Sequence, residues 1–350
     1  MLSINRKRKI LLERIEITRK IPINPINKTE SLFLKNVDLI FQKVYLFEFS
    51  NVCMTPEGIV FRKLQLDGDL LIYPNHKKTY NFLYLLSTLI KRKCIILPEN
   101  ETYLLCVDYW SNSIFHWMCD VLPRIEEVKE QAKECIFLLP KSFKYSYILE
   151  TLNAYQFKSI FYIEDNTYLR CKSLISPEQI ATSGKMRPES ILKVRATLIN
   201  YFQPHFSNKS FDHNLYISRS KARFRKVINE MELLETLKKY NFKVVFFEDL
   251  TVTEQVEICY HAKNIISIHG ANLTNVIFMQ PQGNVLELRK KDDLLNNYYY
   301  ELTDSINCNY HYLNCDFEDP NPGTNSFSLY VDLSSFETCL QRMMNHENEN

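Results

Sequence analysis

The 350-residue chain is 45% apolar and 24% charged, with 22 Phe and 21 Tyr, a composition that supplies sizeable cores and excludes disorder over most of its length. Its formal charge of +2 is too small to imply nucleic-acid binding across the surface, and its length favours two domains over one core. With only six glycines, neither a Walker-type loop nor a GxGxxG fingerprint occurs.

In chain order, the first twenty residues are locally basic: Arg6, Lys7, Arg8, Lys9, Arg14, Arg19 and Lys20 stand against Glu13 and Glu16. The segment reads as a solvated basic stretch, with weak peripheral contact to anionic lipid as the alternative. RKRK is followed only by ILL and then by charges, so no secretory signal is expected. LDGDL, at 66–70, has the Asp-x-Asp spacing by which many sugar-nucleotide enzymes hold a divalent metal, but Asp-Gly between apolar residues also signals a hairpin turn, and it is read here as the turn. The longest apolar run, FLYLLSTLI at 82–90, is too short to span a membrane. Ten cysteines without a CxxC pair read as reduced thiols of a cytoplasmic protein, and no zinc is expected.

YLLCVDY, ECIFLLP and KSIFYIED read as strands, with helical stretches at about 113–131 and 144–156. Within NSIFHWMCDVLPRI, 112–125, a helix sets Ile114, Met118 and Ile125 toward the core and Asn112, His116 and Asp120 along one stripe. A carboxylate one turn from an imidazole orients it and selects its tautomer, which suits a general base. The alternative is a satisfied structural pair, and Pro123 threatens to end the helix just below Asp120. The loop-like composition of ISPEQIATSGKMRPES, 175–190, marks a domain boundary.

From Asn214 the pattern is βαβα: LYIS, a helix over Glu230–Tyr240, KVVFFED, a helix over Val252–Ala262, NIISI, a turn at HGA, a further helix, then NVLELR. Asn229 with Glu232 and Thr251 with Glu254 have the spacing of N-caps or capping boxes. Parallel strands with right-handed crossovers follow, in a doubly wound sheet. In such sheets the loops after the carboxyl ends of strands line the ligand crevice. Two of those loops carry chemistry: YISRSKARFRKVINE brings Arg219, Lys221, Arg223, Arg225 and Lys226, and HGA opens a helix whose first N–H groups favour an anion. Guanidinium forks beside helix-end amides suit a diphosphate; a solvated basic loop and a plain tight corner are the bland alternatives.

Three pieces in order, FHWMCDVLPR, YISRSKARFRKVINE and NFKVVFFEDLTVTEQVEICYHAKNIISIHGANLTNVIFMQPQGNVLEL, resemble glycosyltransferase family 61, which includes O-linked GlcNAc and xylosyl transferases. The resemblance covers about 112–125 and 214–289. It implies a GT-B architecture, two facing Rossmann-like domains, with inverting transfer that needs no essential metal. On that reading residues 1–180 form the acceptor-side domain, 190–325 the nucleotide-sugar domain and 326–350 a tail. Asp120 or His116 is the expected base. Arg219, Arg223, Arg225, His269, Gly270, Ala271, Thr274 and Asn275 are the expected diphosphate ligands, and Glu287 is expected on the ribose hydroxyls. The absence of the N-terminal anchor of animal and plant members suggests a microbial-type enzyme. Its donor would be a UDP-sugar and its acceptor a glycan or glycolipid of capsule or lipopolysaccharide type, at the inner face of the membrane. A non-catalytic sugar-nucleotide or glycan-binding protein is the alternative; transfer of another group, such as pyruvyl, fits the HW-x-x-D-x-LPR segment less well.

Overall fold

The computed structural model describes residues 6–23, 33–207, 213–291, 293, 296–319 and 326–345. It divides into two compact units, residues 1–15 with 40–194 and residues 16–39 with 195–350. The division therefore falls at 194/195, inside a helix, rather than in the 175–190 segment, and residues 16–39 join the second unit. Side chains explain the transfer. Arg19 is buried against Glu301 and lies 2.9 Å from Asp304, while the Phe33 ring packs on Tyr300, Tyr310 and Tyr312.

The basic N-terminal segment is a strand, β1 (Arg6–Leu12), in which Arg6 lies over the Phe47 ring and Arg8 over Tyr45. Four consecutive exposed residues, Lys7 to Ile10, hide it from any period-two reading. β2 (Ile15–Thr18) and β3 (Asp38–Phe41) form a separate ribbon. The remaining strands of the first unit are β4 (Val44–Met54), β5 (Val60–Arg62), β6 (Gln65–Leu66), β7 (Lys93–Ile96), β8 (Thr102–Leu104), β9 (Ile136–Pro140), β10 (Ser159–Ile163) and β11 (Thr167–Pro177). Their order is β10-β9-β8-β11-β4-β5-β6, with β1 on β4 and β7 on β11. This sheet is mixed rather than mostly parallel. β8 to β11 pair in parallel, but β11 turns antiparallel to β4, and β5 and β6 follow as hairpins.

The hairpin turn between β5 and β6 is at Lys63 and Leu64, both at positive φ, not at Asp67-Gly68. LDGDL runs out of β6 with its carboxylates engaged: Arg6 Nη1 reaches both oxygens of Asp67 at 2.8 and 2.6 Å, and Nη2 reaches Asp69 at 2.5 Å.

Helices of the first unit are α1 (Phe82–Lys91), α2 (Ile114–His116), α3 (Leu122–Glu127), α4 (Lys129–Ala132) and α5 (Ser146–Leu152), and α6 (Pro188–Phe202) runs across the division. Between α2 and α3 the chain does not break. Trp117–Val121 winds as a wider π-helical turn, the N–H of Leu122 donating to the carbonyl of Trp117. A wider turn accommodates Pro123, which offers no N–H and would crowd the carbonyl four residues back in an α-helix.

The second unit carries β12 (Asn214–Ile217), β13 (Lys243–Val245), β14 (Asn264–Ile268), β15 (Asn284–Lys290), β16 (Asn309–Glu318) and β17 (Ser328–Tyr330), ordered β13-β12-β14-β15-β16-β17. All pairs are parallel except β16 with β17. Helices α7 (Glu230–Lys239), α8 (Val252–His261), α9 (Tyr298–Ser305) and α10 (Leu333–Asn345) accompany it. The Thr251–Glu254 capping box forms. The Asn229 one does not, because the Asn229 side chain donates to the carbonyl of Val331 and accepts its N–H. Residues 326–345 are thus no tail: β17 joins the sheet and α10 buries Phe336, Leu340 and Met343 in its core. No helix among the described residues is long and apolar enough to cross a membrane.

Arg124, buried beside the π turn, ties that helix to the sheet: it donates to the carbonyls of Cys106 at 2.7 Å and Pro177 at 2.6 Å. Arg124→Ala should therefore cost about 3 kcal/mol or more in urea unfolding, since buried carbonyls lose charged donors. An unchanged unfolding midpoint would contradict that anchoring role.

Candidate active site

In the first unit the predicted pair exists. His116 Nδ1 lies 2.7 Å from Asp120 Oδ2, and the side chains are 19% and 4% exposed, so the imidazole is the outward partner. A third member was invisible in the sequence. Ser183 Oγ donates to Asp120 Oδ2 at 2.7 Å and stands 3.1 Å from His116 Nδ1, although it lies in the segment read as a linker. Beside His116, the Trp110 ring centre is 6.0 Å away, followed by Tyr109 at 5.4 Å from Trp110, and both aromatics are exposed. Asp120 has its ring-facing oxygen fully used; the outer edge of the imidazole is the group positioned to take a proton.

Burial raises the pKa of Asp120 above the usual aspartate value, against the pull of His116 and Ser183.

In the second unit, β12 is flanked by β13 and β14, so the strand order reverses at β12, the switch point at which open α/β sheets bind ligands. The loops leaving β12 and β14 are the basic loop and the HGA turn. They meet: a Cβ placed on Gly270 would lie 3.1 Å from Nη1 and 3.4 Å from Nε of Arg219. A guanidinium thus lies on the face of the glycine, and any side chain there would press on it. Its φ of 164° is ordinary extended backbone. The following helix, Ala271–Phe278, is a 3-10 helix.

Arg219 is half-buried, and burial first, then the neighbouring Arg225, pull its pKa below the usual arginine value. The Nε atoms of Arg219 and Arg225 are buried without a hydrogen-bond partner, and among the described residues no carboxylate pairs with either guanidinium. Two desolvated cations held side by side are a costly arrangement that a polyanion relieves. Arg223 differs: it is exposed, its guanidinium over the Phe224 ring. Lys221 is paired with Asp249 at 2.5 Å.

His269 and Glu287 behave otherwise than expected. Glu287 is wholly buried; one oxygen bonds His269 Nδ1 and the other accepts the Tyr310 hydroxyl at 2.5 Å, with Arg289 3.6 Å away. It has no free edge for a ribose and instead fixes His269 next to Gly270. Ala271 is half-buried, whereas Thr274 and Asn275 are buried inside the 3-10 helix. The Thr274 hydroxyl has no partner among the described residues, and Asn275 directs its amide at 3.4 Å to Gln255 and Asn272.

Residues 114–286 match the profile of the family described as Glycosyltransferase 61. The chain is also similar to the EGF domain-specific O-linked N-acetylglucosamine transferase of Drosophila melanogaster, 36% identical over 81 residues. That stretch is 22% of this chain and 15% of the relative's length.

A carboxyl whose folded-state pKa is raised contributes stability while protonated, and that contribution is lost as pH rises through the folded-state value. Asp120→Asn removes the loss. The Tm difference between variant and wild type should move in favour of Asn as pH rises from about 4 to about 7; a difference that does not change with pH would contradict the burial argument.

Proposed function

The chain belongs to glycosyltransferase family 61, an enzyme family that transfers sugars, and from that premise we propose an inverting, metal-independent transfer from a nucleoside-diphosphate sugar, with UDP favoured, to a hydroxyl of a glycan or glycolipid. The observation that carries the reading is the Arg219 guanidinium against Gly270 at the switch point, with the Nε atoms of Arg219 and Arg225 buried and neither guanidinium paired with a carboxylate among the described residues.

The proposal treats the two units as the donor and acceptor halves of a GT-B-type enzyme. The second unit holds the diphosphate, Arg219 and Arg225 taking its oxygens and His269, fixed by Glu287, standing beside it. In the first unit, His116 removes the acceptor proton with the ring edge opposite Asp120. The acceptor oxygen then bonds to the anomeric carbon from the face opposite the leaving group. The bond from that carbon to the phosphate oxygen breaks, its electron pair leaves with the diphosphate, and the anomeric centre inverts. Asp120 and Ser183 hold the ring in one tautomer, and the arginines stabilise the charge that develops on the leaving oxygen. The relative's name supports an N-acetylhexosamine donor and an oxygen acceptor. Ten free cysteines, eight of them buried, support a reducing, cytoplasmic setting.

His116→Ala and Asp120→Asn should each lower kcat by about a hundredfold or more while nucleotide affinity survives, and the double variant should lose little beyond either single one, as expected of groups acting as a unit. Additive losses, or full activity in well-folded single variants, would remove the base from this pair. Transfer should persist in EDTA, because Arg6 occupies both carboxylates of LDGDL. Loss of turnover on chelation, repeated by Asp67→Asn, would overturn the metal-independent reading.

A further inference from the structure

The run FLYLLSTLI, too short to span a bilayer, forms most of α1, an amphipathic helix with Ser87, Lys91, Tyr84 and Thr88 on one sector and apolar residues on the rest. Only one side is buried, at Leu85 and Thr88. On the other, Phe82 is 56% exposed, Leu83 70% and Ile90 72%, with Leu86 and Leu89 between them, and Ile96 on β7 is 71% exposed nearby in sequence. At 100° per residue these five helix positions span an arc of about 120°, the width of a stripe that normally faces a core. Scattered apolar residues on a surface need no explanation; a contiguous helical face does.

The exposed charges flanking this face without a carboxylate partner among the described residues are basic. From Leu70 to Pro98 the sequence contains no Asp or Glu, while Lys77, Lys78, Lys91, Arg92 and Lys93 lie at the two ends of α1. Arg92 is engaged by Glu57 at 2.6 Å. Lys77, Lys78, Lys91 and Lys93 are exposed, and among the described residues none has a carboxylate partner.

We propose that the exposed face of α1 is a membrane-docking surface for an anionic bilayer. Phe82, Leu83, Leu86, Leu89 and Ile90 enter the interface, and Lys77, Lys78, Lys91 and Lys93 meet lipid headgroups. Basic residues around an apolar helical face fit an anionic lipid surface, where burial of the face and headgroup attraction add. A second copy of this chain would place the same four lysines against each other, which disfavours self-association. The inference deepens the proposed function and rests on it in one respect: docking would bring the protein to an acceptor hydroxyl carried on a lipid.

The test is flotation with vesicles of phosphatidylcholine alone and with added phosphatidylglycerol, using the full chain, Leu83→Glu/Ile90→Glu and Lys78→Glu/Lys91→Glu. Wild type should partition onto the anionic vesicles and weaken as salt rises. Each double variant should lose roughly tenfold or more of that partition. Both variants should keep wild-type Tm and wild-type UDP-induced stabilisation, since neither pair touches the nucleotide loops. Equal vesicle binding by wild type and both variants would overturn the inference, as would concentration-dependent dimerisation abolished by Leu83→Glu/Ile90→Glu. Absence of wild-type binding would overturn it too, with UDP binding and sugar turnover then judging the functional reading separately. If membrane binding follows α1 but no sugar nucleotide is turned over, the docking surface stands and the functional reading falls.

Discussion

Two guanidiniums with no carboxylate in contact among the described residues set the character of the second unit. Arg219 rests on Gly270 with Arg225 beside it, and burial and mutual repulsion both act against the pair. Natural structures keep such an arrangement where a ligand completes it, because an uncompensated desolvated charge costs several kcal/mol. The parallel sheet makes the arrangement possible: β12 and β14 pair in register from Asn214 with Asn264 to Ile217 with Ser267, so the loops leaving them start side by side. Behind the turn, Glu287, Tyr310 and Arg289 form a buried, mutually bonded set that leaves His269 little freedom. The edge beside Gly270 is thereby fixed by its own packing, which is the condition that the proposed electrostatic stabilisation of a leaving group requires.

The first unit solves a different problem, holding the His116–Asp120 pair still. The π-helical turn at Trp117–Val121 carries the chain past Pro123, and Trp117 and Arg124 bolt that turn down, the indole donating to Thr151 at 2.8 Å. HW-x-x-D-x-LPR thus combines two kinds of residue. His116 and Asp120 form the hydrogen-bonded pair proposed as the base, while Trp117, Pro123 and Arg124 shape the backbone under it. Activity and stability pull in opposite directions at Asp120, whose burial disfavours the charged form that orients the imidazole.

The sequence disclosed what short-range periodicity can carry. The His116–Asp120 contact follows from four-residue spacing on a helix, and the βαβ alternation after Asn214 predicts the parallel sheet. Longer-range partners stayed hidden. Ser183 sits 63 residues from Asp120 in a stretch of loop composition. Glu287 reads as a ligand at a strand end only until β16 supplies Tyr310 to cover it. Gly270 stands out in the sequence, yet the side chain on its face is that of Arg219, 51 positions earlier, and nothing local reveals that. Likewise Asn229 has the sequence of a cap but gives its amide to Val331, and β1 lacks alternation because its charged side chains lie along aromatic rings.

The central claim is that the basic loop and the HGA turn recognise a diphosphate, and calorimetry comparing uridine, UMP and UDP tests it most directly. The account predicts that affinity grows steeply from uridine to UDP, that the increment fades as salt rises, and that Arg219→Ala/Arg225→Ala abolishes it without altering the fold. Each charge-assisted hydrogen bond from these guanidiniums to phosphate is worth on the order of 1.5–3 kcal/mol. Uridine binding as tightly as UDP, or a double variant that retains the full diphosphate increment, would contradict it.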